Sequence, residues 1–281
     1  MLLARFKHSL LVATLMVSGI VSSAYGQTTS GSRITASQIL PKDTYLFLNI
    51  TSVEDLKSQA VQSAIGRMIA DPAMDNFRNG IVGAVGGQVA EGAANVQAAL
   101  GMSVEELLSI PTGEMTIAFS KAPPNRMGVV LYMDFGDHEA QLKSLLDKAL
   151  PALQNSPVLE AADVEHDGTT ITMFKNTSES AQATPLAKEF GWFLKDSRMV
   201  VSNSSALLKL ALDNWDGSGE KTFAKNESWT YILEKTETKP GNGVATVYFD
   251  PIGLFTQLVQ TGSLGEAGLQ AGMAISVFPM L

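Results

Sequence analysis

The chain has 281 residues, 45% of them hydrophobic, with no cysteine and 28 acidic against 20 basic residues, a formal charge of −8. That length sustains a core without covalent staples, and the missing cysteines exclude disulfides and thiol nucleophiles. Dispersed net acidity argues against a nucleic-acid or anionic-lipid partner.

Arg5, Lys7 and His8 precede an uncharged, mostly apolar run from Ser9 to Val21, followed by Ser22, Ser23 and Ala24. This is the pattern of a secretory signal peptide over residues 1–26. Small side chains one and three positions upstream of a cut are supplied by Gly26 and Ala24, which places cleavage between Gly26 and Gln27. The apolar run is shorter than the roughly 20 residues a bilayer span needs, so no stable span is expected once it is removed. Loss of Arg5 and Lys7 takes the net charge from −8 to −10. The implied location is outside the cytoplasm: periplasm, cell envelope or extracellular. Residues 27–38 are polar and rich in Ser and Thr, the composition of a flexible leader, and residues 39–281 read as a single domain.

In that domain TYLFLNI (44–50) predicts an interior strand. Ser52 with Asp55 predicts a helix cap, and Leu56, Ala60, Ile65 and Ile69 keep near-helical spacing as far as Asp71 and Pro72. The segment from Gly80 to Gly101 is rich in Gly and Ala; it predicts closely packed helices or, alternatively, a small-residue face around Gly83 and Gly87 that accepts an apolar ligand.

A strand running through a polar cap into an amphipathic helix occurs four times: LFLNITSVEDLKS, VLYMDFGDHEAQLKS, MVVSNSSALLKLA and VYFDPIGLFTQL. In two of these an extra strand stands in front, EMTIAFS before RMGVVLYMDF and FGWFLKD before RMVVSNS, as in two diverged copies of one unit. Between them VLEAADVEHDGTTITMF predicts a hairpin turning at Asp167 and Gly168. In the last of the three hairpin units, Ser204 or Ser205 caps a helix whose Leu208, Ala211, Leu212 and Trp215 share an apolar face. Hairpins outnumber helical crossovers, which predicts an α+β fold: a mainly antiparallel sheet with helices packed on one face.

Catalytic motifs are sparse. Asp134, Phe135 and Gly136 spell a kinase triplet without the other kinase motifs, and GSGEKT (217–222) is a phosphate loop broken at Glu220 and preceded by a helix. Asp163, Glu165, His166 and Asp167 are the densest group of potential metal ligands; on a strand the three acids share one face and His166 the other. His138 and His166 are the histidines left after the signal, and no serine elbow or zinc motif is present. Two acids converging in space could still serve a glycoside hydrolase. Trp192, Trp215 and Trp229, flanked by apolar residues, read as core rather than sugar platforms. Asn49, Asn176, Asn203 and Asn226 begin sequons, which a bacterial type of signal makes incidental.

LPKDTYLFLNI, IADPAMDNF, GMSVEELLSIPTGEMTIAF and WFLKDSRMVVSNSSALLKLAL together resemble a family of exported, uncharacterised bacterial proteins of planctomycete type, over most of the chain after about residue 38. The resemblance implies export and the architecture above, and carries over no catalytic residue. Members of that family continue into further strands, whereas this chain closes on AISVFPML, so the expectation is a domain truncated at its C-terminus. The sequence therefore points to a non-catalytic envelope protein without cofactor that binds another protein or an apolar small molecule. The alternative is an envelope hydrolase built on paired carboxylates, with Asp163, Glu165 and Asp167 the first to inspect.

Overall fold

Interior strand segments such as FGWFL and MVV are apolar at successive positions, and a sheet covered on both sides accommodates them. The structure, a computed structural model, describes residues 34–62, 110–178, 188–236 and 244–261. Among these, eight strands form one antiparallel sheet: β1 (Thr44–Ile50), β2 (Met115–Ala122), β3 (Arg126–Asp134), β4 (Leu159–His166), β5 (Thr169–Asn176), β6 (Glu189–Lys195), β7 (Arg198–Ser202) and β8 (Ala245–Phe249), in the order β4-β5-β6-β7-β3-β2-β1-β8. Six α-helices accompany them: α1 (Ala36–Ile39), α2 (Val53–Gln62), α3 (Glu139–Gln154), α4 (Ser205–Asp213), α5 (Glu227–Lys235) and α6 (Pro251–Gln260). The fold is α+β on an antiparallel sheet, as the hairpin pattern predicts, and β1 lies inside it between β2 and β8.

The layering is fuller than one face of helices. Val200 and Phe193 point to the side where α1, α4 and α5 pack, in a core with Leu208, Leu212, Phe223 and Trp229. Their neighbours Met199 and Trp192 point to the other side, where Leu142 and Leu145 of α3 close a second core over Phe174. Successive strand side chains face opposite ways, so interior strands that are apolar at every position need cover on both faces. This also limits the two-copy idea: the β2–β3 and β6–β7 hairpins meet where β3 pairs with β7, but the helices that follow them go to opposite faces.

Tight turns join the hairpins. Asp167 and Gly168 have φ of 47° and 66°, and Asp196 and Ser197 have 51° and 60°, the paired positive values of a two-residue turn that follows sheet twist. Asp196 and Ser197 lack glycine's freedom, and their side chains are held instead. Asp196 accepts a bond from Trp215 Nε1 at 2.8 Å, and Ser197 donates to Glu139 at the start of α3 at 2.6 Å, so the turn is clamped from both faces of the sheet.

The helix starts follow local chemistry. Ser52 Oγ accepts from Asp55 N at 3.0 Å, Asn226 caps α5 through Trp229 N at 2.9 Å, and Asp250 caps α6 through Gly253 N at 2.9 Å with Pro251 at the first turn. Ser204 occupies the cap position of α4, but its hydroxyl makes no cap bond and is buried without a partner among the described residues. The helix is opened instead by the Ser204 carbonyl, which accepts from Leu207 and Leu208.

The expected leader is ordered at its end. Ala36 and Ile39 are almost fully buried in the first core, because a short apolar helix fills the space between α4 and the sheet. Residues 34–38 therefore belong to the folded domain.

Candidate functional site

Two places carry chemistry beyond packing. The first is a groove of about 590 Å³ between α3 and the β5–β6 hairpin region, a size within the roughly 300–1,000 Å³ of small-molecule sites. Leu146 and Leu150 of α3 and Trp192 and Leu194 of β6 are among the residues that line it. The Trp192 ring is held from below by the stack Phe190, Phe174 and Trp192, with Phe174 5.3 Å from Phe190 and 5.4 Å from Trp192. Lys143 and Asp147 line the helix side of the rim, and Asp167 and Lys195 the strand side. Lys195 lies 3.6 Å from Asp167 and Lys143 pairs with Glu139 at 2.5 Å, so the rim is charged but internally balanced. Lys143 and Ser197 together hold the Glu139 carboxyl below the usual carboxylate range. The groove can take an apolar body with a polar end; it presents no activated nucleophile.

The second place is a polar cluster on the α1 side, where the ends of β1, β2, β3 and β7 meet; Asn49, Thr116, Asp134 and Arg198 are buried and Glu114 is half-buried. Glu114, just before β2, accepts from Asn49 Nδ2 at 2.6 Å, from Thr116 Oγ1 at 3.2 Å and from Ala36 N at 3.2 and 3.3 Å on its two oxygens. Burial pushes its carboxyl up to about 7 against the pull of these three donors, and Asp134 adds to the rise. Beside it Asp134 Oδ2 lies 3.6 Å from Arg198 Nε, and Tyr132 donates its hydroxyl to the Ile34 carbonyl at 2.8 Å. Burial, with Glu114 adding to it, raises the Tyr132 phenol far above its usual range. Two carboxylates do converge in this molecule, but neither lines the groove, and α1 meets Glu114 through Ala36 N.

The acids singled out from sequence behave differently. Asp163 and Glu165 are exposed on edge strand β4, with Glu165 bonded to Thr170 at 2.5 Å. His166, on the opposite side as expected, reaches Asp213 of α4 at 2.6 Å. Asp167 sits in the turn and reaches the groove rim. Among the described residues no three His, Cys, Asp or Glu side chains gather as a metal site. The Asp134 carboxylate caps Gly136 N at 2.9 Å, which makes the kinase-like triplet a strand-to-helix turn. His138 Nδ1 bonds the Ile110 carbonyl at 2.9 Å. Trp192, Trp215 and Trp229 are all buried. Gly26 and Gln27, Gly83 and Gly87, and the AISVF run lie outside the described residues.

Sequence reasoning passed over Glu114 and Arg198. The one available signal was a charged residue at the margin of a strongly apolar strand, which is equally the mark of an ordinary solvated strand end. No helix of the described residues is long and apolar enough to cross a membrane. Comparison with protein-family models, curated proteins and solved structures finds no match to this chain.

Proposed function

We propose that the protein is an exported, non-catalytic envelope protein that holds an apolar small molecule, or an apolar segment of another protein, in the groove between α3 and β6. The observation that carries this reading is the groove itself: an aliphatic and aromatic floor at Leu146, Leu150, Trp192 and Leu194 under a rim with two lysines. Export rests on the signal-like residues 1–26, and membership of the planctomycete-type family rests on the motif resemblance; both belong to the same proposal.

The test is a calorimetric titration with dodecanoate, whose chain fits the floor and whose carboxylate would meet Lys143 or Lys195. Thr172 pairs with Trp192 across β5 and β6 and lines the same groove. Thr172→Trp fills the space and should weaken binding at least tenfold while leaving the melting temperature within a few degrees. Equal binding by wild type and Thr172→Trp, or no binding by either, would sink the groove reading. N-terminal sequencing of protein from the envelope fraction tests the export part, with Gln27 the expected first residue.

A protein partner is favoured by one further observation. Val247 and Phe249 of edge strand β8, Ile252 of α6, and Tyr231 and Ile232 of α5 are exposed large apolar side chains, and apolar exposure along a sheet edge suits pairing with another chain.

A further inference from the structure

Among the described residues β8 is the outermost strand at its end of the sheet, paired with β1 on one side only. Thr51 N donates to the Val244 carbonyl and Asp250 N to the Tyr45 carbonyl, at the two ends of that pairing. Antiparallel bonding alternates along a strand, so Thr246 and Tyr248 bond inward to β1. Ala245, Val247 and Phe249 therefore turn their backbone N–H and carbonyl groups to the outer edge. We propose that this edge is a dimer interface, closed by β8 of a second copy of the chain running antiparallel about a two-fold axis at Val247. The exposed edge noted above thereby gains a specific partner.

The strand is complementary to itself. An axis at Val247 sets Val247 against its own copy and Phe249 against Ala245 of the second copy, the large ring beside the smallest side chain of the strand. In both pairings the outward backbone groups meet in register. ATVYF carries no charge and no proline, and its register with β1 is unbroken, so the usual guards of an edge strand against self-pairing are missing. Such an axis runs perpendicular to the sheet, and each face meets its counterpart. On the Tyr248 face, Ser228 of α5 lies within side-chain bonding reach of Tyr248, and Tyr231 and Ile232 share a shallow depression with Ser228. Glu227, the acid lining that depression, is paired with Lys42 at 3.0 Å. Val247 and Phe249 stand on the opposite face, with Ile252 in the helical turn that follows. These five apolar side chains are 43% to 68% exposed, on the order of 500 Å² per copy. Two copies then contribute about 1,000 Å² before the strand backbones are counted, the size at which an interface becomes specific.

The first experiment is sedimentation velocity on the full chain between about 1 and 100 µM, with a dimer expected at the upper end. Val247→Lys sets two like charges against each other at the axis and should weaken the dimer about a hundredfold. Thr172→Trp should leave it unchanged, so the groove and the edge can fail independently. Residue-resolved amide exchange on the wild type then locates the contact. The Ala245, Val247 and Phe249 amides should be protected in the dimer and exchange freely on dilution, whereas Thr246 and Tyr248 stay protected throughout. A monomer at about 100 µM overturns the proposal. In that case outward amides protected at every concentration assign the edge to another segment of the same chain, and freely exchanging ones leave it open to an extended strand of another protein. A dimer whose outward amides exchange freely, or one that Val247→Lys leaves intact, overturns the proposal as well. If that variant fails to fold, the wild-type exchange decides alone.

Discussion

On the α3 side of the sheet the interior is apolar throughout: Phe174, Trp192 and Met199 meet Leu142 and Leu145, and the polar groups stay at the rim. The α1 side begins in the same way, with Phe47, Phe223, Trp229 and Tyr248 packed at 5.0 to 5.8 Å, but it ends in a cluster of Glu114, Asp134, Arg198 and Tyr132. The α3-side core draws its energy from dispersion and exclusion of water, which are insensitive to pH. The α1-side core adds groups whose burial is tolerable only while each has a partner, and burial pushes one of them, the Glu114 carboxyl, up to about 7. One sheet thus has a pH-silent face and a pH-responsive one.

The largest expected effect is on the silent face. Phe174 is fully buried between Phe190 and Trp192, and Phe174→Ala should destabilise the fold by roughly 3–5 kcal/mol through lost transfer energy plus a cavity. Urea unfolding at pH 5 and pH 8 should show the same loss at both. A loss that depends on pH would mean the two faces are not energetically separate.

Next comes the pH dependence of wild-type stability. Glu114 binds its proton more tightly folded than unfolded, so its contribution is fully present below about pH 4 and lost as pH rises through about 7. The fall across that window should be at most roughly 3 kcal/mol. Glu114→Gln should flatten this component in urea titrations run at half-unit pH steps; an unchanged slope would assign the dependence to other groups.

The smallest effect probes a cap at the far end of the α1 side. Asn226 accepts from Trp229 N and donates to the Lys42 carbonyl at 3.0 Å. Asn226→Ala should cost about 1 kcal/mol, a shift of the urea midpoint without change in slope and without pH dependence.

Much of this was legible from local pattern. The strand alternation, the Asp167–Gly168 turn, the Ser52 and Asp250 helix starts and the apolar face of Leu208, Ala211, Leu212 and Trp215 all depend on residues a few positions apart. The Ser204 hydroxyl was misread because a cap site defined by spacing does not say whether the side chain turns to the helix or into the core. The candidate groove was legible only as apolar residues on α3 and β6, with nothing to say that they face one another. The polar cluster was the least visible, since Asn49, Glu114, Asp134 and Arg198 come from four strand ends far apart in the chain.

By itself the sequence determined the class of fold and the absence of disulfides, because hydrophobic period and turn chemistry act within a few residues and cysteine is missing altogether. The tertiary structure decided which face each helix covers, that Ile34–Leu40 joins the core, and that Glu114 and Asp134 meet in one polar cluster. Those outcomes follow from strand order and from desolvation, and both come into being only when segments distant in the chain are brought into contact.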